Sequence, residues 1–223
     1  MGRLLSEIRD HALARPWLLV PPLLGILSQN VLSFLSPGMA GAVALKVILT
    51  ALMTVAVTTL FAELWLGDGK SVSPERLVQT GTLFIIPYPL LLVFGAVTAP
   101  LVYWILRADV SQAVSTGALY LVLALGKLAA FAAGTVSSLA AARRAESTGA
   151  LGALLLGVRV IRSNILFFSL ALVGLWIFQE ACVFLTRTLV PGQLAGFVTT
   201  VIPLLGCVAL PITAWRSGRL GKP

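Results

Sequence analysis

Long apolar segments alternate with short polar ones along the whole chain, and the lengths of the apolar segments indicate the architecture. A hydrocarbon core about 30 Å thick needs roughly 20 helical residues to cross it. The segments that are long enough and nearly free of charge are 17–35, 40–66, 83–106, 114–142, 165–185 and 194–215. The pattern therefore predicts an all-α, polytopic transmembrane helix bundle of six spans, in which residues 1–223 form a single transmembrane domain.

Two of the polar segments have the signature of short interfacial helices. Before the first span, apolar residues recur at the spacing of one helix face; they are Leu4, Leu5, Ile8 and Ala12. Before the third span, Ser73 is a typical N-cap residue, Pro74 fits the first helical position and Glu75 adds negative charge to the first turn. A short helix is therefore expected to run from Pro74 into span three.

The linker between spans four and five is apolar, but it is too short to cross a membrane. It runs from 148 to 161, and its flanks hold four arginines: Arg143, Arg144, Arg159 and Arg162. Treating it as a seventh span would invert the C-terminal part of the protein and spoil the asymmetry of charge. We therefore expect this linker to lie on the inner leaflet or to dip into it.

Basic residues are concentrated on one side of the predicted bundle. With six spans, both termini share a side with segments 67–82 and 143–164. These four regions hold twelve of the sixteen Lys and Arg residues, whereas the three opposite loops hold only Arg107 and Arg187. Basic residues favour the cytoplasmic side. The prediction is a multi-pass protein of the bacterial cytoplasmic membrane with both termini in the cytoplasm.

Composition excludes several classes of protein. At 58% hydrophobic and 11% charged residues, with a mean hydropathy of +0.99, the chain is too apolar for a water-soluble domain. The net charge of +8 favours contact with anionic lipid headgroups over nucleic acid, because no basic stripe is interleaved with exposed aromatic residues. His11 is the only histidine. This excludes His-based metal clusters and His-dependent catalytic triads. Because no catalytic or ligand-binding motif is present either, we predict no enzyme activity, no catalytic residue, no cofactor and no metal site.

Ionisable and amide side chains inside the spans are the candidate functional residues, because their burial in lipid is costly unless they are paired or hydrated. The set consists of Lys127, Lys46, Glu180, Gln179 and Asn30. Lys46, Asn30 and Glu180 are predicted to share one depth in the outer leaflet, with Lys46 and Glu180 as an ion pair. The alternative for Lys46 is that its amine reaches the outer headgroups without a partner.

Lys127 lies about 20 Å from either end of span four at about 1.5 Å per residue, so it cannot easily reach a headgroup. Its candidate partners are Glu180 and the backbone carbonyls of the third span, which three prolines interrupt. Lys127 either holds the structure together or binds a substrate or gates a path. Small residues at four-residue spacing favour close packing within the chain, with a dimer interface as the alternative; they are Gly126, Ala130, Gly134 and Ser138.

Three stretches of the sequence resemble a known group of proteins. They are the Pro-Trp entry into span one in IRDHALARPWLLVPPLLGIL, the Gly-Asp-Gly turn with its capped helix in LWLGDGKSVSPERLVQTGTLF, and the basic linker AARRAESTGALGALLLGVRVIRSNILFF. Together they are similar to uncharacterised bacterial six-helix membrane proteins related to the membrane domain of some glycerophosphoryl diester phosphodiesterases. The resemblance implies a stand-alone membrane module without the phosphodiesterase, and it carries over no functional residue.

Two functions lead at this point, ahead of an intramembrane enzyme that would have to use Lys127 or Glu180 without a histidine. The first is a non-enzymatic membrane module that organises lipids or partner proteins, which the lack of catalytic groups and the glycine-rich linker favour. The second is the six-span permease subunit of an exporter driven by a separate ATPase, which would dock on 74–79 and 148–161. The expected partners are membrane lipids, a second copy or another membrane protein, or that ATPase.

Overall fold

The computed structural model describes residues 2–33, 40–67, 72–107, 112–189 and 200–220, and within these ranges the protein is all-helical without a β-strand. In chain order the helices are α1 (Gly2–Leu13), α2 (Val20–Ser33), α3 (Ala40–Leu66), α4 (Pro74–Ile85), α5 (Tyr88–Arg107), α6 (Gln112–Ala142), α7 (Ala150–Ser163), α8 (Ile165–Leu189) and α9 (Thr200–Arg216). Short 3-10 turns cover Pro16–Leu19 and Arg144–Glu146.

Three helical segments among the described residues are long and apolar enough to cross a membrane. They are Ile48–Leu66 in α3, Thr116–Ala142 in α6 and Ile165–Leu185 in α8. The segments Pro16–Ser28 and Thr200–Arg216 are apolar but shorter. The protein is therefore an all-helical chain with three candidate membrane-spanning helices, and these fall inside predicted spans two, four and five.

The apolar segment that was predicted as span three is divided into two helices. α4 begins as expected, because Pro74 takes its first position and the Ser73 hydroxyl accepts a hydrogen bond from the Arg76 amide at 3.3 Å. The helix ends at Ile85 and α5 begins at Tyr88. Pro87 has no N–H to continue the helical ladder across this point. The long apolar helix therefore starts five residues later than the predicted boundary at 83.

Both ends of the described chain lie at one end of the bundle. Arg219 near the C-terminus pairs with Glu7 of α1, with 2.8 Å between Nη2 and Oε1. At the same end, Arg216 donates to the carbonyl oxygens of Trp65 and Leu66, and Arg15 donates to that of Gly67. These guanidinium groups satisfy carbonyls that the end of α3 leaves without helical partners. We call this the terminal end of the bundle.

The hydrophobic core is largest towards the terminal end. It combines side chains of α1, α3, α8 and α9, which include Leu4, Trp65, Phe168, Val208 and Ile212. Trp65 is central, because its indole donates to the Thr213 hydroxyl at 3.2 Å and its ring lies 4.6 Å from the His11 ring. His11 is therefore a packing partner of this core. Cys182 and Cys207 are free thiols.

The linker that was predicted to lie on the inner leaflet folds as helix α7 and packs on α6 and α4. Gly157 sets the crossing with α6. A Cβ atom at this position would lie 2.6 Å from the carbonyl oxygen of Val136, which is shorter than any normal contact. Only glycine permits the two backbones to approach so closely. The buried face of α7 is completed by Ala153, Leu154 and Val160.

Candidate functional site

Lys127 and Glu180 meet between the two long apolar helices α6 and α8. The Lys127 amine donates a hydrogen bond to Oε1 of Glu180, and the two groups form an ion pair. Lys127 is 15 residues before the end of α6 at Ala142, and Glu180 is 15 residues after the start of α8 at Ile165. At about 1.5 Å per residue, Lys127 therefore lies about 22 Å from the C-terminal end of α6, and Glu180 lies about 22 Å from the N-terminal end of α8.

The ion pair is accessible from outside the packed helices. The side chain of Lys127 is 44% exposed and that of Glu180 is 42% exposed. The neighbouring Gln179 is buried, and its Oε1 atom has no hydrogen-bond partner in the part of the chain that the structure describes. Buried amide oxygens are normally satisfied by protein, water or ligand. A polar patch with unused hydrogen-bonding capacity thus lies halfway along α8.

Two members of the predicted polar set cannot be placed with the others. Lys46 lies on α3 and Asn30 on α2, but their side chains fall outside the described residues. The proposed pair of Lys46 with Glu180 therefore stays a prediction. Among the described residues, Glu180 is paired with Lys127. Of the two candidate partners of the Lys127 amine, the described part of the chain therefore shows the acidic side chain of Glu180 and not the backbone carbonyls of the predicted third span.

An apolar cavity of about 310 Å³ lies between α2, α3, α6 and α9. Its wall is formed by small and apolar side chains such as Gly25, Met53, Val57, Phe131, Leu204 and Cys207. On α3 the wall extends from Thr58 to Thr50, which are about 12 and 24 Å from the end of the helix at Leu66 at 1.5 Å per residue. The cavity therefore lies between the terminal end and the middle of the bundle.

Four of the hydroxyl groups around the cavity are already engaged with the backbone. Ser28 donates to the Gly25 carbonyl at 2.8 Å, Thr54 to that of Thr50 at 2.8 Å, and Thr58 to that of Thr54 at 2.7 Å. Ser137 of α6 donates to the carbonyl of Leu83 on the neighbouring helix α4 at 2.8 Å. With these hydrogens taken, the wall offers mainly carbon atoms to a ligand. The site therefore suits an apolar group.

The ion pair and the cavity occupy one face of α6. Lys127 precedes the cavity residues Ala130, Phe131 and Gly134 by three, four and seven positions, which is the spacing of a single helical face. Further along, this face packs inside the chain, because a Cβ atom at Gly134 would lie 3.3 Å from Cβ of Cys207. Gly134, one of the four small residues at four-residue spacing, therefore lies where α6 packs against α9.

A buried ionic network at the terminal end was not predicted from the sequence. Glu63 is only 3% exposed and accepts hydrogen bonds from the Thr80 hydroxyl and from Arg144, both at 2.5 Å. The signal for it was Glu63 itself, an acidic residue at the end of a long apolar segment. The network joins α3, α4 and the turn after α6. Its role is to fix these three segments together.

Arg143 makes a second contact set beside this network. Its Nε and Nη2 atoms donate to Glu146 Oε2 at 2.9 and 2.6 Å, and its guanidinium lies 4.5 Å from the centre of the Trp215 ring. A guanidinium on an aromatic face is a favourable cation–π contact. Arg143 therefore joins the turn after α6 to the end of α9.

No protein-family model, curated protein or solved structure was found that matches this chain. Within the described ranges, no group of three or more His, Cys, Asp and Glu side chains is arranged to hold a metal ion. The features from which function can be inferred are therefore the apolar cavity, the accessible ion pair and the surfaces of the helices.

Proposed function

We propose that this chain is a non-enzymatic membrane module with six transmembrane helices that binds the acyl chain of a lipid. The cavity between α2, α3, α6 and α9 carries the proposal. Its volume of about 310 Å³ falls within the range of about 300–1,000 Å³ that is usual for small-molecule sites. An acyl chain needs an apolar wall without unpaired donors, and the engaged hydroxyls of Thr54, Thr58 and Ser137 meet that need.

The position of the cavity supports a lipid as the ligand. Three of the helices that line it (α3, α6 and α9) end at the terminal end, which we assign to the cytoplasm from the distribution of basic residues. A cavity between that end and the middle of the bundle then lies at the depth of inner-leaflet acyl chains. Ala130 belongs to the cavity wall and is also exposed. Three wall residues of α3 are exposed as well, namely Thr50, Met53 and Thr54. We therefore place the route by which a chain enters sideways from the membrane between Ala130 and these residues.

The length of α5 and the meeting of the two chain ends support the six-span arrangement. α5 has 20 residues, which corresponds to about 30 Å at 1.5 Å per residue, enough to cross a hydrocarbon core. We take α2 and α9, which are apolar but shorter than a full crossing, as the other two crossings beside α3, α5, α6 and α8. An even number of crossings brings both ends of a chain to one side, in agreement with the Arg219–Glu7 contact.

The test of lipid binding uses a phospholipid with a photoreactive group in its acyl chain. The protein is reconstituted with this lipid, irradiated and digested, and the labelled residues are identified by mass spectrometry. We expect labelling of buried cavity residues such as Val57 and Phe131. The variant Ala130→Phe, which places a ring at the opening, should reduce this labelling at least fivefold. Ala181→Phe is the matched control, because Ala181 is exposed on α8 and does not line the cavity.

Uniform labelling of the outer helix surfaces, with cavity residues labelled no more than exposed ones, would contradict the proposal. So would an equal loss of labelling in Ala130→Phe and Ala181→Phe. Thermal unfolding of each variant in the same detergent separates loss of the site from loss of the fold.

The permease subunit remains the second candidate, and a groove at the terminal end favours it. This groove, about 490 Å³ in volume, lies between α4 and the segment that leads into α7, and its lining includes Gln79, Thr82, Arg144 and Ser147. An ATPase needs such a surface on the cytoplasmic side to transmit its movement. The candidate requires a gene for an ATP-binding cassette protein beside this one, and ATP hydrolysis that depends on both proteins together.

A further inference from the structure

We infer that the exposed face of α7, together with Arg159 and Arg162, is a binding site for anionic phospholipids of the inner leaflet. α7 has two different faces. Ala153 and Val160 are fully buried against the bundle, whereas Leu151, Leu155 and Val158 are 66%, 60% and 48% exposed. The exposed residues recur at intervals of four and three, so they form a single apolar stripe.

The start of the neighbouring helix α8 indicates what covers the apolar stripe of α7. α8 begins directly after α7, and its first residues Ile165 and Leu166 are exposed as well. These residues open the segment Ile165–Leu185, which has the length and hydropathy of a membrane span. The exposed surface of a span contacts lipid. Because α7 leads directly into that span, we take the lipid bilayer as the occupant of its apolar stripe as well.

Two positive charges stand beside the apolar stripe. Arg159 and Arg162 are exposed and follow Leu155 by four and seven positions, which places them along the same side of α7. α7 contains no acidic residue, and neither arginine forms an ion pair with another described residue. With respect to the described part of the chain, their guanidinium groups are therefore available to bind phosphate.

The leucines and the arginines of α7 contact different parts of a lipid molecule. Long arginine side chains extend along an apolar surface and carry their charge to the headgroup level. The leucines then contact the first carbons of the acyl chains, and the guanidiniums contact the phosphate. A zwitterionic lipid supplies the same phosphate with a neutralising ammonium group, whereas an anionic lipid leaves a net negative charge. The site therefore prefers anionic glycerophospholipids, independently of the acyl-chain cavity.

The first measurement locates α7 relative to the membrane. Cys182 and Cys207 are replaced by alanine, Leu155→Cys is introduced and labelled with an environment-sensitive fluorophore, and the protein is reconstituted in vesicles. Nitroxides near the top of the acyl chains should quench the fluorophore more strongly than a water-soluble quencher does. Stronger quenching from water, or protection from both quenchers by a protein partner, would overturn the inference.

The second measurement tests the preference for anionic lipid. The intact protein is extracted from membranes that contain phosphatidylglycerol and phosphatidylethanolamine, and the lipids retained are quantified by mass spectrometry. We expect Arg159→Gln/Arg162→Gln to lower the enrichment of phosphatidylglycerol about tenfold, since each basic residue near a membrane surface contributes measurably to anionic lipid binding. Arg3→Gln/Arg76→Gln removes the same charge from exposed sites elsewhere and should have a much smaller effect.

Equal effects of the two double variants would show that only net charge matters, and unchanged enrichment in both would show that no such site exists. Either result overturns the inference. Addition of inorganic phosphate distinguishes the source of the ligand chemistry. If free phosphate displaces the retained lipid at millimolar concentration, the arginines bind phosphate ions and the assignment to a lipid surface is wrong.

Discussion

The Nη1 atom of Arg144 lies 2.5 Å from Oε1 of Glu63, although the two residues are 81 positions apart in the chain. Glu63 lies in the last turn of the long apolar helix α3, which ends at Leu66, and Arg144 begins the turn after α6. Thr80 of α4 donates to the same carboxylate oxygen at 2.5 Å and accepts from Arg144 at 2.8 Å. A single buried carboxylate thus holds three segments together at the terminal end of the bundle.

This pair predicts a strong effect of removing one partner. Arg144→Met should lower the free energy of unfolding by about 3 kcal/mol, because it leaves the buried Glu63 carboxylate without its counter-ion. The double variant Glu63→Gln/Arg144→Met should cost less than the sum of the two single changes. Arg9→Met is the control, because its partner Asp10 and Arg9 itself are mainly exposed. Thermal unfolding in one detergent gives all four values, and strictly additive losses would show no coupling.

The contact between Lys127 and Glu180 leads to a second prediction. Lys127→Met should reduce thermal stability, because Glu180 is left charged about 22 Å along a membrane helix at 1.5 Å per residue. Lys127→Met/Glu180→Gln should recover most of that loss. The parallel pair Lys46→Met and Glu180→Gln tests the partner that the sequence suggested. Larger coupling for Lys46 than for Lys127 would show that Glu180 pairs with α3 and not with α6.

The close approach of α6 and α7 predicts that one methyl group added at Gly157 destabilises the protein. Gly157→Ala should destabilise the protein by about 1–3 kcal/mol, since the new Cβ atom overlaps the Val136 carbonyl oxygen and the helices must move apart. Gly174→Ala is the matched control on α8, where a Cβ atom meets nothing within 4 Å. It should be neutral or stabilising, because alanine favours a helix more than glycine does. Equal stability of the two variants would contradict the close approach.

The proposed topology predicts that both termini are cytoplasmic. A reporter that is active only outside the cytoplasm should be inactive when fused after Pro223, and a cysteine introduced at Gly152 should resist an external membrane-impermeant thiol reagent. The reason is the concentration of basic residues on the side that holds the termini and α7. Activity of the reporter or labelling of Gly152→Cys in intact cells would contradict the six-span arrangement.

Much of the helical layout could be predicted from the sequence, because each feature depends on nearby residues alone. The length of an apolar segment is set by the thickness of the membrane, whatever its neighbours are. The start of α4 follows from Ser73 and Pro74, whose effects act within one turn. The end of α4 was harder to place, because prolines weaken a helix at several positions and the sequence does not tell which of them breaks it. Here the break falls at Pro87.

The contacts between helices required the tertiary structure. Hydropathy does not determine how a helix is rotated about its axis, because apolar residues surround most of its circumference. The sequence therefore identified Lys127, Lys46 and Glu180 as candidates, but only the packing of α6 beside α8 brings Lys127 to Glu180.

The sequence by itself determined that this protein is helical, apolar and asymmetric in charge, since these properties are sums over individual residues. The tertiary structure decided where Glu63 meets Arg144, where Gly157 meets Val136 and where four helices leave a cavity. Those features arise from side chains that are far apart in the chain, so their positions depend on how the helices pack. The physical reason is that a span is selected by its transfer into lipid, whereas a site is formed by contacts between spans.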